Sequence, residues 1–205
     1  DANDNQLTET NALGKTTTST YDQFDNLLTQ TDALGFTSTY TYNTRRQVLT
    51  ITDPKGNVST NTYDNKGNLT STKDALNNTT SYTYNPFGLV LTQTDALNHV
   101  TTYQYSGSQP SQITDAQGNV SSFTYDTNGN QLTQTVTKTF NGSPETITTT
   151  NTYDKLNRLT KVTYPDGSET TTTYNAIGKV ASSTDQLGRS TSYSYDSMGQ
   201  LLSTT

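Results

Sequence analysis

A tyrosine returns along this chain at nearly every twenty-first position, and in eight of nine cases Asp or Asn follows it. Six of the eight intervals span twenty-one positions, one is shorter by one and one is longer by seven. The nine tyrosines are Tyr21, Tyr42, Tyr63, Tyr84, Tyr105, Tyr125, Tyr153, Tyr174 and Tyr195. A fixed period of this kind is typical of stacked repeats, in which each unit buries its faces only against its neighbours. The sequence therefore predicts a repetitive array, and its function has to be argued from what such an array can do.

The composition favours an extended sheet over a conventional packed core. Only 28% of the residues are hydrophobic and 15% are charged, while the chain contains 14 Tyr and is rich in Thr. Both Tyr and Thr favour pleated surfaces, and disordered chains are usually poor in them. No stretch has helical spacing of apolar residues, and turn signals come every ten or eleven residues. We predict an all-β fold over residues 1–205: a repetitive antiparallel stack of β-hairpins with about two strands per unit.

The first turn of each unit follows the repeated tyrosine and has the pattern Asp/Asn-x-x-Gly. This pattern predicts a type I turn whose last residue is a glycine in the left-handed region. Such a three-residue loop places Tyr63 opposite Leu69, a cross-strand pair that contributes roughly 0.2–1 kcal/mol. The equivalent partners in other units are Leu27, Val48, Val90, Leu159, Val180 and Leu201. We assign structural roles to the nine tyrosines, as a ladder, and to the turn residues Asp64, Gly67, Asp126, Gly129, Asp196 and Gly199.

A second turn, such as 32–35 (Asp-Ala-Leu-Gly), closes the other end of each hairpin. Because side chains alternate faces, an odd period would exchange the two faces in every successive unit. One parity break per unit is needed, either a four-residue loop at this second turn or a bulge in a strand. We favour the four-residue loop, which places Leu27 opposite Tyr40 and puts Tyr40, Tyr42, Leu27 and Val48 on one face.

Charge and residue content exclude several classes of function. The net charge of −6, the pI of about 4.5 and the lack of a basic stripe argue against nucleic acid as a partner. No apolar run approaches the roughly 20 residues that span a bilayer. Cysteine is absent, and His99 is the only histidine, so neither a His-based triad nor a multi-histidine metal site can form. We interpret His99 as a strand-edge residue, and we predict no catalytic, cofactor-binding or metal-binding residues and no cofactor.

Three features carry alternatives. Asp53 and Pro54 resemble an Asp-Pro cleavage motif but occupy the standard second-turn position, so we interpret them as a turn. Residues 126–130 have oxygen ligands at alternate positions, as calcium loops do, yet turn chemistry explains them without a metal. The tyrosine rows either form a ladder that stabilises the sheet or, if exposed, provide a surface that binds sugars. The ladder is the interpretation that we favour.

The repeated units resemble the YD repeats of the RHS family. The resemblance rests on segments such as 63–70 (Tyr-Asp-Asn-Lys-Gly-Asn-Leu-Thr), 125–130 and 153–160, and it covers nearly the whole chain. Relatives include bacterial polymorphic-toxin proteins, shell components of insecticidal toxin complexes, a bacterial wall-associated protein and teneurins. The resemblance implies about nine YD repeats in one array. The extra residues of the one irregular unit predict a longer hairpin insertion near residues 137–146. The resemblance also implies an antiparallel sheet that spirals into a hollow shell.

The same resemblance defines the expected function and partners. In the bacterial toxins the shell encloses a cytotoxic C-terminal domain. We therefore expect an extracellular or cell-surface structural protein, a scaffold or encapsulating-shell segment, that is not an enzyme. Its expected partners are other YD repeats of the same or neighbouring chains, and an enclosed toxin domain or surface glycans. We also expect the chain to be a segment of a larger protein or assembly. The competing hypothesis is a cell-surface fibre or adhesin that assembles end to end and binds glycans.

Overall fold

A computed structural model of the chain describes residues 1–140 and 142–205. Within these ranges the chain forms nineteen strands and no helix, which confirms the predicted all-β fold with about two strands per sequence repeat. It follows that the described part contains no helix that could cross a membrane. The chain divides into two compact units, Asp1–Val100 and Thr101–Thr205.

The first unit is a meander in which each strand pairs antiparallel with the next. Its strands are β1 (Thr8–Thr10), β2 (Thr16–Tyr21), β3 (Leu27–Thr31), β4 (Thr37–Tyr42), β5 (Val48–Thr52), β6 (Val58–Tyr63), β7 (Leu69–Lys73), β8 (Thr79–Tyr84) and β9 (Val90–Thr94). In a meander, alternate turns lie on opposite edges of the sheet. The turns that follow the repeated tyrosines, which we call the tyrosine turns, therefore share one edge. The turns between them, which we call the alternate turns, share the other edge.

The second unit repeats this arrangement. It contains β10 (Val100–Ser106), β11 (Gln109–Thr114), β12 (Val120–Tyr125), β13 (Gln131–Phe140), β14 (Ser143–Tyr153), β15 (Leu159–Thr163), β16 (Glu169–Tyr174), β17 (Val180–Thr184), β18 (Ser190–Tyr195) and β19 (Leu201–Thr204). The predicted insertion near residues 137–146 falls within β13 and β14, where Thr137 lies opposite Thr146. Asn141, at the centre of that insertion, lies outside the described residues.

Most turns of both kinds have loops of three residues, although Ser106 pairs with Gln109 and leaves a loop of two residues after Tyr105. In a tyrosine turn, the Asp64 N–H donates to the Asn68 carbonyl at 2.9 Å, and the Gly67 N–H donates to the Asp64 carbonyl at 3.1 Å. An alternate turn has the same two bonds, from the Asp32 N–H to the Phe36 carbonyl and from the Gly35 N–H to the Asp32 carbonyl, both at 2.9 Å. The four-residue loop predicted for the alternate turns is therefore wrong.

The parity break is a bulge in the strand that follows each tyrosine turn. Tyr63 lies opposite Leu69 as predicted, but Thr62 lies opposite Ser71, so Thr70 is the extra residue on β7. The same shift of register occurs in the other tyrosine hairpins of both units. A bulge inserts one unpaired residue and restores the alternation of faces. Leu27 is consequently not a ladder partner of Tyr40.

The bulges keep the two faces of the sheet chemically distinct. On one face, Tyr40 lies opposite Ile51 and Tyr42 lies opposite Val48; on the other, Thr41 lies opposite Thr50. No described residue is buried, so each sheet has no packed core beneath it. The order of these sheets therefore comes from backbone ladders, turns and contacts between neighbouring strands.

Candidate functional site: the tyrosine ladder and the turn edges

Tyr105 is the second-last residue of β10 and lies opposite the second residue of β11. Each of the other ladder tyrosines ends the strand that leads into a tyrosine turn, and it lies opposite the first residue of the next strand. In seven hairpins that residue is Leu or Val, in the register predicted from the turn: Leu27, Val48, Leu69, Val90, Leu159, Val180 and Leu201. Tyr105 and Tyr125 instead lie opposite Pro110 and Gln131. The rings thus cover aliphatic side chains on the strand that follows.

Tyrosine hydroxyls connect hairpins within each unit to the segment that comes before them. The backbone pairing between β3 and β4 ends at Thr29 and Thr39, two residues short of Leu27, the first residue of β3. Beyond that point the Tyr42 hydroxyl donates to the Leu27 carbonyl at 2.8 Å. The same bond recurs in both units, from Tyr63 to Val48 (2.9 Å), Tyr84 to Leu69 (2.6 Å), Tyr125 to Pro110 (2.9 Å), Tyr153 to Gln131 (3.1 Å) and Tyr174 to Leu159 (2.9 Å). Tyr21 donates to Gln6 at 3.3 Å. We call these contacts the tyrosine bridges.

The bridging hydroxyls lie in partly sheltered positions. Partial burial raises the pKa of Tyr42, and the neighbouring Tyr40 adds a smaller upward contribution. Burial raises the pKa of Tyr84 and Tyr105 in the same way. A tyrosine hydroxyl with a pKa above its ordinary value of about 10 is protonated at neutral pH. The hydroxyls of Tyr42 and Tyr84 accordingly donate to the Leu27 and Leu69 carbonyls. Tyr195 lies opposite Leu201 at the end of β18.

The carboxylates that begin the turns accept hydrogen bonds from the turns themselves. Asp64 Oδ1 accepts the backbone N–H groups of Lys66 and Asn68 at 2.8 Å, and Asp64 Oδ2 accepts the Asn68 side-chain amide at 2.8 Å. The amide of Asn68 is the main reason why the pKa of Asp64 lies below its usual value. Asp126 has the same three contacts at 2.8–2.9 Å, again with a lowered pKa. Asp196 accepts two backbone N–H groups at 2.8–2.9 Å.

The glycines of the tyrosine turns adopt the left-handed conformation and are approached by the preceding turn. Gly67 has a φ of 94°, and a Cβ built there would lie 3.3 Å from Nη1 of Arg45 and 3.4 Å from Nε2 of Gln47. Gly129 and Gly199 have φ values of 88° and 77°. Gln47 also donates to the Gly67 carbonyl at 2.7 Å. Successive turns along this edge are therefore hydrogen-bonded to one another.

The residues with candidate reactivity have turn roles in the structure. His99 ends a turn directly before β10, and its Nδ1 lies 2.9 Å from Oδ2 of Asp95, where other turns have an asparagine amide. This turn position replaces the predicted strand edge. The Asp53 carboxylate accepts the N–H groups of Lys55 and Asn57 at 2.9 Å. In residues 1–140 and 142–205, no group of three or more His, Cys, Asp or Glu side chains could hold a metal ion.

The face opposite the tyrosines has hydroxyl pairs that the sequence analysis did not identify. Oγ1 of Thr41 lies 2.6 Å from Oγ1 of Thr50, and Thr20 with Thr29, Thr83 with Thr92, and Thr124 with Thr133 form equivalent pairs at 2.6 Å. Cross-strand hydroxyl pairs of this kind stabilise antiparallel sheets. A search for threonines nine positions apart across each tyrosine turn would have found them.

Comparisons with known proteins agree with this architecture. The Teneurin YD-shell family matches residues 11–139, and the RHS Repeat family matches residues 153–186 and 174–205. A crystal structure of TcdB2, TccC3 and Cdc42 is similar with a TM-score of 0.68 and 14% identity, over 96% of this chain and 13% of that chain. A Tc holotoxin pore of Photorhabdus luminescens is similar with a TM-score of 0.65 and 18% identity, over 93% and 12%. No curated protein matches. The chain thus spans about an eighth of the solved chains, and at this identity the likeness concerns the fold alone.

Proposed function

The chain belongs to the Teneurin YD-shell family, and we propose that it forms part of the wall of an encapsulating shell and has no catalytic residues of its own. The tyrosine bridges carry this proposal. They recur within both units, where the same bond joins a hairpin to the segment before it, and they add order to sheets in which no described residue is buried. A repeated contact of this kind suits a wall of indefinite length, whereas an enzyme requires one site that differs from the rest.

The partners in this proposal are other YD repeats, which continue the wall, and a toxin domain enclosed by it. The proposed location is outside the cell or at its surface. The families that match residues 11–139 and 153–205 consist of such repeats. Carboxylates that could act as acids or bases are instead bound within separate turns, as Asp64 and Asp126 are. That distribution supports a structural role.

Electron microscopy of the purified full chain tests the proposal against the fibre alternative. Closed or strongly curved hollow particles are the result that we expect from a shell wall. Straight filaments formed end to end would contradict the shell and favour a surface fibre. Particles that are neither hollow, curved nor filamentous would contradict both functions. A variant with Phe in place of Tyr42 and Tyr174 tests the role of the bridges. It lacks two of the bridging hydroxyls, so its particles should be less intact than those of the unmodified chain if the bridges hold them together.

A further inference from the structure

The turn at residues 126–130 contains the pair Asn128 and Gly129, and in the described part of the chain no other asparagine precedes a glycine. Asparagine is a thermolabile residue. The backbone nitrogen of the residue that follows it can attack its side-chain amide, and glycine hinders this attack least because it has no Cβ. Both residues of the pair are exposed, so water reaches them. The pair is therefore a candidate site of spontaneous modification.

The Asn128 side chain links its turn to the next tyrosine turn of the second unit, at residues 154–158. Its Nδ2 donates to Oδ1 of Asn157 at 2.9 Å, and Nδ2 of Asn130 donates to the same oxygen at 2.8 Å. Asn157 has a φ of 61°, and it stands where the turn at residues 126–130 has its glycine. We call the two hydrogen bonds to the Asn157 oxygen the asparagine latch. The latch connects two turns that the long hairpin of β13 and β14 separates along the chain.

The folded turn holds both reacting groups apart. The Gly129 N–H donates to the Asp126 carbonyl at 3.1 Å, and the Asn128 amide donates to Asn157. The Gly129 nitrogen reaches the Asn128 side chain only when both bonds open. Because each hydrogen bond has a modest net strength, their opening should slow the reaction by about five- to hundredfold. The fold therefore delays the reaction and does not prevent it.

We propose that Asn128 is a site of spontaneous deamidation and that its conversion releases the asparagine latch. The Gly129 nitrogen bonds to Cγ of Asn128, the bond from Cγ to Nδ2 breaks, and the proton of the Gly129 N–H leaves with Nδ2 as ammonia. Water then opens the cyclic imide at either carbonyl and gives aspartate or isoaspartate. The net change is the gain of one water and the loss of one ammonia, so water is the only co-reactant.

Either product breaks the latch for a chemical reason. A carboxylate at position 128 has no N–H to donate, so it meets the Asn157 oxygen as a second acceptor. If the Asn157 amide turns over and donates to the carboxylate, the bond from Asn130 is lost instead. Isoaspartate also lengthens the main chain by one carbon, which disrupts the bond from the Gly129 N–H to the Asp126 carbonyl. The modification is thus a slow and irreversible loosening of the contact between the two turns.

Other asparagines of the tyrosine turns lack one part of this arrangement. Asn130 and Asn68 donate their side-chain amides to the carboxylates of their own turns at 2.8 Å, and a residue with a large side chain follows each of them. Asn157 likewise precedes Arg158. Among the described residues, the modification is therefore assigned to Asn128. It is independent of the proposed shell function, since a wall and a fibre would both contain this turn.

Incubation of the full chain at mildly alkaline pH, followed by tandem mass spectrometry, tests the modification. We expect Asn128 to convert before any other described asparagine, with a mass gain of about one dalton and with isoaspartate that an isoaspartate methyltransferase labels. A synthetic peptide with the sequence of residues 123–133 gives the rate without the fold, and it should react about five- to hundredfold faster. Earlier conversion of another described asparagine, or a rate at Asn128 more than about a hundredfold below that of the peptide, overturns the proposal.

Two variants test the release of the latch. Asn128→Asp copies one product of the reaction. Thr127→Asp adds the same charge one residue earlier, at a side chain with no hydrogen bond in the described part of the chain. The Asn157 N–H donates to the Asp154 carbonyl at 3.0 Å, so its hydrogen exchange reports the opening of that turn. This exchange should be about two- to tenfold faster in Asn128→Asp and unaltered in Thr127→Asp.

Equal exchange rates at Asn157 in the two variants would overturn the release of the latch. Circular dichroism shows whether each variant is folded. The same exchange measurement on the unmodified chain after deamidation provides a second readout that does not depend on a variant. Unchanged exchange at Asn157 in that sample would also overturn the release.

Discussion

Replacing Tyr42 with Phe should destabilise the first unit by about 1 kcal/mol, because a typical intramolecular hydrogen bond contributes roughly 0.5–1.5 kcal/mol net. The change removes one hydroxyl and keeps the ring against Val48, so it isolates the hydrogen bond to the Leu27 carbonyl at 2.8 Å. The middle of the range applies because the hydroxyl is sheltered enough for burial to raise its pKa but is not enclosed. Within residues 1–140 and 142–205, no other side chain donates to the Leu27 carbonyl.

Tyr63 provides the matched comparison one repeat later. Its hydroxyl donates to the Val48 carbonyl at 2.9 Å, but the Asn61 amide donates to the same carbonyl at 3.1 Å. Tyr63→Phe therefore leaves the acceptor satisfied, and we expect less than about half the cost of Tyr42→Phe. In an Asn61→Thr background, which copies Thr172 of another repeat, Tyr63→Phe should regain the full cost.

Urea unfolding followed by circular dichroism measures these differences as shifts of the midpoint at constant slope. Amide hydrogen exchange in β3 and β5 shows whether the loss is local to the bridged strands. Equal costs for Tyr42→Phe and Tyr63→Phe, or a cost of Tyr42→Phe below a few tenths of a kcal/mol, would refute the reasoning. Either result would mean that the ring, and not the hydroxyl, carries the contribution of the tyrosine.

The turns and the opposite face give three further predictions. Gly67→Val should lower the free energy of unfolding by roughly 1–3 kcal/mol, because a β-branched residue is strained at a φ of 94°. Gly118→Val should lower it by less in the same urea assay, since Gly118 has a φ of 81° and nothing lies within 4 Å of a Cβ built there. Equal costs would exclude a contribution from the contacts between turns. The pKa values of turn carboxylates such as Asp64 are lowered, so their stabilisation is complete above their unfolded pKa of about 3.9 and is lost as the pH falls through the folded value. The urea concentration at the unfolding midpoint should therefore decrease when the pH is lowered below about 4. This decrease should be smaller in a variant in which Asn replaces several turn aspartates, and the same pH profile in that variant would contradict the assignment. Thr41→Val should cost about 0.5 kcal/mol. Thr41→Val with Thr50→Val should cost no more, because both variants lose the same hydrogen bond, and additive costs would argue against the pair.

The fold was predictable from the sequence where a local residue pattern determines the geometry. The pair Asp64 and Gly67 specifies a three-residue loop, and that loop sets Tyr63 opposite Leu69 in the structure. The parity break was not predictable because its two solutions satisfy the same period. The extra residues of the bulges are ordinary side chains such as Leu28, Leu49 and Thr70, with no glycine to mark them. Only the pairing of strands distinguishes a bulge from a longer loop.

Some contacts of the candidate site could likewise be predicted from the sequence, and others could not. The turn carboxylates follow from side chains that bond to backbone groups two and four residues away, so the sequence alone indicates them. The tyrosine bridges depend on where the ladder between hairpins ends, which is a property of the assembled sheet.

The odd period, the bulge and the tyrosine are three parts of one arrangement. An odd period requires one parity break in each unit, and in the first tyrosine hairpin the bulge at Leu28 provides it. The ladder to the next hairpin then ends at Thr29, directly after the bulge, and the Leu27 carbonyl lies beyond it. Tyrosine suits this place because its ring covers the gap and its hydroxyl reaches an acceptor on the neighbouring strand, about 4.8 Å away. Phenylalanine lacks the donor and serine lacks the reach, so the constraint that fixes the bulge also selects the residue that recurs in every unit.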